Sequence, residues 1–190
     1  MTLVVGIFVG GQGSRMGGVA KGLLRAPASD LTLVERLARE ALAAAPSAQL
    51  TLVGAAPAYA DLGRPMIADV PPGVGPIGGL CGLLSYARAH GASHVLALAC
   101  DLPRLDRSTI ARLLDDARDA EVVVVEHAGV RNPLIARYAV GPALDAAQAA
   151  LGSGRRSLQA VLDALRATNL PIPPGSEVAD DWDTLSDVSR

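Results

Sequence analysis

Gly10-Gly11-Gln12-Gly13-Ser14-Arg15-Met16-Gly17-Gly18 follows directly on the apolar stretch Leu3 to Val9, and Lys21 stands just beyond it. Five glycines in nine residues, with one arginine inside and one lysine after, make a turn whose backbone N–H groups can approach an anion closely. Two familiar phosphate loops are excluded by spacing. A dinucleotide fingerprint needs glycine where Met16 sits, and a P-loop needs Gly-Lys-Ser/Thr, whereas Lys21 lies between Ala20 and Gly22. What remains is a loop whose amides hold a nucleotide triphosphate while Arg15 and Lys21 neutralise its phosphates.

Asp101 is the second chemical residue. In Leu98-Ala99-Cys100-Asp101-Leu102-Pro103 it ends an apolar run just before a proline. A carboxylate there is held by a rigid element, the usual presentation of a Mg²⁺ bound to triphosphate oxygens. The alternative is a cap for the next helix, for which Asp106 and Ser108 are better placed. Asp69 ends Met66-Ile67-Ala68-Asp69; it is either an acceptor for a base or ribose or a plain turn residue. Arg155 and Arg156 precede Ser157, a good helix cap, so they stand where anions are favoured; the alternative is solvated surface charge.

The elements that would position these groups read as a layered α/β domain, a mainly parallel sheet with helices on both faces. The expected strands are Leu3–Val9, Leu50–Val53, Met66–Ala68, Val95–Ala99, Val122–Val125 and Leu134–Tyr138. Leu33, Val34, Leu37, Ala38, Ala41, Leu42 and Ala45 form a helical stripe that the capping box Thr32-Leu33-Val34-Glu35 would start. Similar stripes run through Ile110, Leu113, Leu114 and Ala117, and through Leu158, Val161, Leu162 and Leu165. Pro71 to Pro76 is a stiff loop leading into Gly78-Gly79, and Pro171 to Ala179 is expected to cross the surface as irregular chain. Ligands of such sheets bind outside the carboxyl ends of the strands, so the glycine loop and Asp101 are expected to face one crevice.

At 190 residues and half hydrophobic, the chain is expected to form a single domain over residues 1–190. A net charge of −2 without a basic stripe argues against a nucleic-acid partner. The run to Val9 is too short for an export signal or a membrane span, which makes the expected location cytoplasmic and without membrane contact. Cys81 and Cys100 make neither a metal cluster nor a Cys-x-x-Cys pair, and His90 and His94 are separated by Gly91 with no zinc-protease glutamate.

The segment Phe8-Val9-Gly10-Gly11-Gln12-Gly13-Ser14-Arg15-Met16-Gly17-Gly18-Val19-Ala20-Lys21-Gly22-Leu23-Leu24 resembles the signature of the molybdenum cofactor guanylyltransferases, MobA-type members of the nucleotidyltransferase superfamily. Asp69, Gly75-Pro76-Ile77-Gly78-Gly79-Leu80, Cys100-Asp101-Leu102-Pro103, Asn132-Pro133-Leu134 and Gly154-Arg155-Arg156 follow in the expected order. The resemblance implies a Rossmann-like nucleotidyltransferase fold and transfer of GMP from GTP to the terminal phosphate of molybdopterin, with release of pyrophosphate. It implies Mg²⁺ as cofactor and GTP and molybdopterin as substrates, with molybdopterin-handling proteins or molybdoenzyme chaperones as partners.

By that resemblance the nucleotide lies against Phe8, Val9, Gly10, Gly11, Gly13, Ser14, Arg15, Lys21, Asp69 and Asp101. Lys21, Arg15 and Asp101 are its catalytic residues, and Asp101 binds the metal. Arg155, Arg156 and Asp183 are the acceptor candidates, Asp183 doubling as a second metal ligand or else a plain cap. Three departures from the family pattern stand out: Ala20 where many members have Asp, Gly54-Ala55-Ala56 where many have Asn, and Asp183-Thr184-Leu185 where Asn-Thr-Pro is common. Two rivals stay open, a related transferase using CTP or a sugar-phosphate acceptor, and a nucleotide or cofactor carrier without catalysis.

Overall fold

The computed structural model describes residues 2–10, 20–115 and 119–182. Seven strands form one sheet in the order β3-β2-β1-β4-β6-β5-β7. They are β1 (Leu3–Phe8), β2 (Gln49–Val53), β3 (Met66–Ile67), β4 (His94–Ala99), β5 (Val122–His127), β6 (Val130–Ala139) and β7 (Ala167–Pro171). The β3-β2-β1-β4 half is parallel throughout, while β6 runs antiparallel to both its neighbours, and β7 pairs parallel with β5.

Helices α1 (Leu33–Ala44), α2 (Pro76–Ala89), α3 (Arg107–Asp115), α4 (Val140–Gly152) and α5 (Leu158–Asp163) cover the sheet. Alternation along the strands separates two apolar layers. Val5 and Ile7 of β1 face α1 and α3 through Leu37, Ile110 and Leu113, while Val4 and Phe8 face α2, α4 and α5 through Leu80, Leu144 and Val161. Burying each large aliphatic side chain contributes about 1.5–3 kcal/mol, so both faces draw the helices down.

The α1 stripe folds as its sequence predicts. Thr32 Oγ1 accepts from the Glu35 amide at 3.3 Å and Glu35 Oε2 accepts from the Thr32 amide at 2.9 Å, closing the capping box. These two bonds to Thr32, backbone first, hold the Glu35 carboxyl below its ordinary pKa. At α3, Asp106 Oδ1 accepts from the Thr109 amide at 2.8 Å and from Ser108 Oγ at 3.0 Å. Burial pushes the Asp106 carboxyl up, but the bonds from Thr109 and Ser108 and the charge of Arg36 together bring it below the usual range. Asp106 thus takes the capping task, and Asp101 is left for another.

Several boundaries differ from the sequence expectation. The fifth and sixth strands are longer and form a hairpin through Ala128-Gly129, both at positive φ (50° and 79°), which matches the primed turns that tight hairpins favour. Inside β6, Pro133 has no N–H for the ladder, and the register jumps from Val124↔Ala136 to Val125↔Asn132. Two bonds fix this bulge: Asn132 Oδ1 accepts from the Leu134 amide at 3.0 Å, and the buried Tyr138 hydroxyl donates to Pro133 O at 2.7 Å. β7 was not expected, because an edge strand that buries only Leu170 shows no apolar alternation. α4 was also not expected; its many alanines give a weak stripe. α5 stops at Asp163, before Leu165, which still packs against the second apolar layer. Ala117 lies outside the described residues.

Candidate active site

β1, β2, β3 and β4 end side by side, and each carries a candidate group just past its last residue. Past β1, the Val9 and Gly10 amides both donate to Val53 O, at 2.9 and 3.2 Å. Phe8 and Val9 are buried in opposite apolar layers, so their side chains serve the core. Past β2, Gly54 takes φ +114°, and a Cβ there would stand 2.7 Å from Gly10 backbone atoms. The sequence departure at Gly54 therefore has a structural reason, since the two strand ends touch backbone to backbone.

Past β3, Asp69 sits against the start of α2. A Cβ at Gly79 would lie 2.9 Å from the Phe8 ring and 3.3 Å from Asp69 Oδ1, so only glycine lets these three segments converge. Burial raises the Asp69 carboxyl above the ordinary aspartate value. The neighbouring Val70-Pro71 peptide is cis within the proline-rich loop.

Past β4, Asp101 meets Lys21. Lys21 opens a one-turn 3₁₀ segment, Lys21–Leu23, and its Nζ donates to Asp101 Oδ2 at 3.1 Å, both side chains being about four-fifths shielded from solvent. The two residues singled out for phosphate and metal chemistry are therefore in direct contact.

Residues the sequence reading had not singled out hold this pair. The Trp182 amide donates to Asp101 O at 2.9 Å, while its ring packs beside Ala26 and Leu33. Arg36 Nη1 donates to Leu105 O at 3.0 Å, tying the segment after Asp101 to α1. The Tyr59 hydroxyl accepts from the Gly22 amide at 3.0 Å. None of these contacts has a motif, because each joins segments that are distant in sequence. Cys100 beside Asp101 is buried, and burial together with the Asp101 charge pushes its thiol up to about 12, so it stays protonated.

Gly11, Gly13, Ser14, Arg15 and Asp183 lie outside the described residues. Arg155 and Arg156 are exposed on the turn between α4 and α5, where Ser157 Oγ caps α5 by accepting from the Gln159 amide at 3.1 Å. Gln159 Nε2 donates to Arg131 O at 2.8 Å, and Arg131 pairs with Asp163, which moors α5 to β6 beside Asn132. Among the described residues no group of three or more His, Cys, Asp and Glu side chains could hold a metal ion by itself.

A family model described as the MobA-like NTP transferase domain matches residues 5–168. The chain belongs to the MobA-like NTP transferases. It is 35% identical over 136 residues to a probable molybdenum cofactor guanylyltransferase of Carboxydothermus hydrogenoformans, covering 72% of this chain and 65% of the relative. It is 33% identical over 159 residues to the molybdenum cofactor guanylyltransferase of Rhodopseudomonas palustris, covering 80% and 72%. The match thus spans roughly two thirds of these relatives' own length.

The fold of this MobA-like chain recurs in molybdopterin-guanine dinucleotide biosynthesis protein A from Archaeoglobus fulgidus, with a TM-score of 0.74, 21% identity and 97% and 94% coverage. It recurs also in 2-C-methyl-D-erythritol 4-phosphate cytidylyltransferase from Thermus thermophilus, with a TM-score of 0.69, 17% identity and 100% and 96% coverage. Among the described residues, no helix is long and apolar enough to cross a membrane.

Proposed function

We propose that this MobA-like transferase, acting as one domain over residues 1–190, transfers GMP from GTP to the terminal phosphate of molybdopterin. A phosphate oxygen of the acceptor attacks the α-phosphorus, the α–β phosphoanhydride bond breaks, and pyrophosphate leaves. The observation that carries the reading is the Lys21–Asp101 contact at the carboxyl edge of parallel strands, in a chain whose relatives bear the guanylyltransferase name. Such a displacement asks the protein for positioning and charge neutralisation rather than a covalent intermediate.

Lys21 would turn its ammonium to the triphosphate, and Arg15 would serve the same charge. Asp69, at the start of α2, would accept hydrogen bonds from the nucleoside. A single partly shielded carboxylate suits Mg²⁺, which binds through one or two carboxylates and fills its shell with phosphate oxygens and water. Asp101 would hold that ion, with Asp183 as the candidate second ligand; when bound, the ion neutralises triphosphate charge. Arg155 and Arg156, exposed on the turn just before α5, are the proposed contacts for the acceptor phosphate, in a protein working in the cytoplasm.

The test is a panel of GTP, CTP and ATP with Mg²⁺, read by thermal shift and, with molybdopterin added, by pyrophosphate release. Stabilisation and release specific to GTP are expected. CTP-specific release would transfer the reading to a cytidylyl enzyme, and nucleotide binding without release would make the chain a carrier.

A further inference from the structure

Lys21 lies on a turn of three residues, held internally by the bonds Leu23 N→Ala20 O and Leu24 N→Lys21 O. So short a turn has little rigidity of its own, yet the ammonium must be placed within a few tenths of an ångström to act on phosphate charge. The Gly22 amide takes no part in those turn bonds. It donates instead to the hydroxyl of Tyr59, which stands 37 positions away in the 3₁₀ segment Pro57–Leu62 and is only 2% exposed.

Tyr59 shares one apolar cluster with Cys100, the residue before Asp101, and the Cys100 amide donates to Phe8 O at 3.2 Å. The Lys21 turn is thus held at two points, by the Gly22 amide on Tyr59 Oη and by Lys21 Nζ on Asp101 Oδ2. The fit around Gly22 is close: a Cβ there would stand 3.0 Å from both Tyr59 Oη and Cε1 and 2.5 Å from Val34 Cγ2.

We propose that Tyr59 is a positioning residue for nucleotidyl transfer, its buried hydroxyl anchoring the Lys21 turn in the core so that the ammonium keeps a set place beside Asp101. This rests on the function proposed above. The lock acts on the backbone at Gly22 rather than on the tip of the Lys21 side chain. Lys21 Nζ can therefore leave Asp101 for an arriving phosphate without the turn drifting. A core tyrosine that merely filled space would need its ring but not its hydroxyl.

Tyr59→Phe keeps the ring and removes the lock. The expected result is a kcat lower by roughly tenfold, with the KM for GTP changed far less, because a buried amide has lost its acceptor and the misplacement is felt at the transition state. Combined with Lys21→Ala, it should add no further loss. A readout independent of activity is the acylation rate of Lys21 by acetic anhydride, followed by mass spectrometry, which should rise several-fold in Tyr59→Phe. If wild type shows no GTP turnover but the labelling rate still rises, the lock stands and the reaction assignment falls. Unchanged kcat and unchanged labelling, or a lower melting temperature alone, would overturn the lock. Should Tyr59→Phe not fold, hydrogen exchange at the Gly22 amide of wild type is the second measurement: protection comparable to that of the β1 amides is expected, and free exchange would overturn the proposal.

Discussion

Lys21 and Asp101 stand 80 positions apart in the chain and touch at 3.1 Å, with each side chain about one-fifth exposed. The contact joins the cation after the glycine loop to a strand-end carboxylate, so a change at either residue disturbs the charge balance of both and, on the function proposed above, the chemistry.

Lys21→Ala is expected to lower nucleotidyl transfer by about a hundredfold or more, the loss of one preorganised charge at a developing phosphate. Asp101→Asn should abolish metal-dependent turnover. Each variant also breaks a partly shielded ion pair, so a loss of about 1–2 kcal/mol is expected, between the values for exposed and buried pairs. Urea unfolding checks the stability term and pyrophosphate release the rate. Near-normal turnover in Lys21→Ala would remove the phosphate role from this loop.

Gly54→Ala should be costly for its size. It places a Cβ at φ +114° and 2.7 Å from Gly10, so the ends of β1 and β2 must separate. A loss of about 2 kcal/mol or more is expected, together with a raised KM for GTP, because the glycine loop springs from Gly10. Denaturant midpoints equal to wild type would show that the two strand ends have room.

Arg156→Ala tests the acceptor side. Its exposed place before the Ser157 cap predicts a higher acceptor KM and an unchanged affinity for GTP, measured by steady-state kinetics and nucleotide titration. Equal weakening of both substrates, or of neither, would remove Arg156 from the acceptor site.

His94 supplies a pH dependence unrelated to catalysis. Burial, then the nearby charge of Arg137, lowers its imidazole from 6.5. The folded protein therefore binds this proton less readily than the unfolded chain. The stabilisation is present above pH 6.5 and is lost as the pH falls through the lower folded value. Melting temperatures should drop more steeply below pH 6.5 in wild type than in His94→Gln. Parallel curves for the two proteins would exclude His94 as the source.

The sequence by itself determined the parts whose physics is local. The α1 capping box needs only Thr32 and Glu35 three residues apart, the β1 and β4 runs need only consecutive apolar residues, and the glycine signature with Lys21 and Asp101 marks the family. Asp106 was recognisable as the better cap because capping acts within one turn. Tertiary structure decided everything that depends on distant segments meeting. β7 exists because β5 offers it an edge, since its own residues bury little. The glycine at position 54 is required by the backbone of Gly10, 44 positions earlier, and Tyr59 gains its proposed role only where Gly22 arrives at its hydroxyl. A hydrogen bond acts over about 3 Å of space whatever the sequence separation, so contacts of this kind leave no periodicity to read.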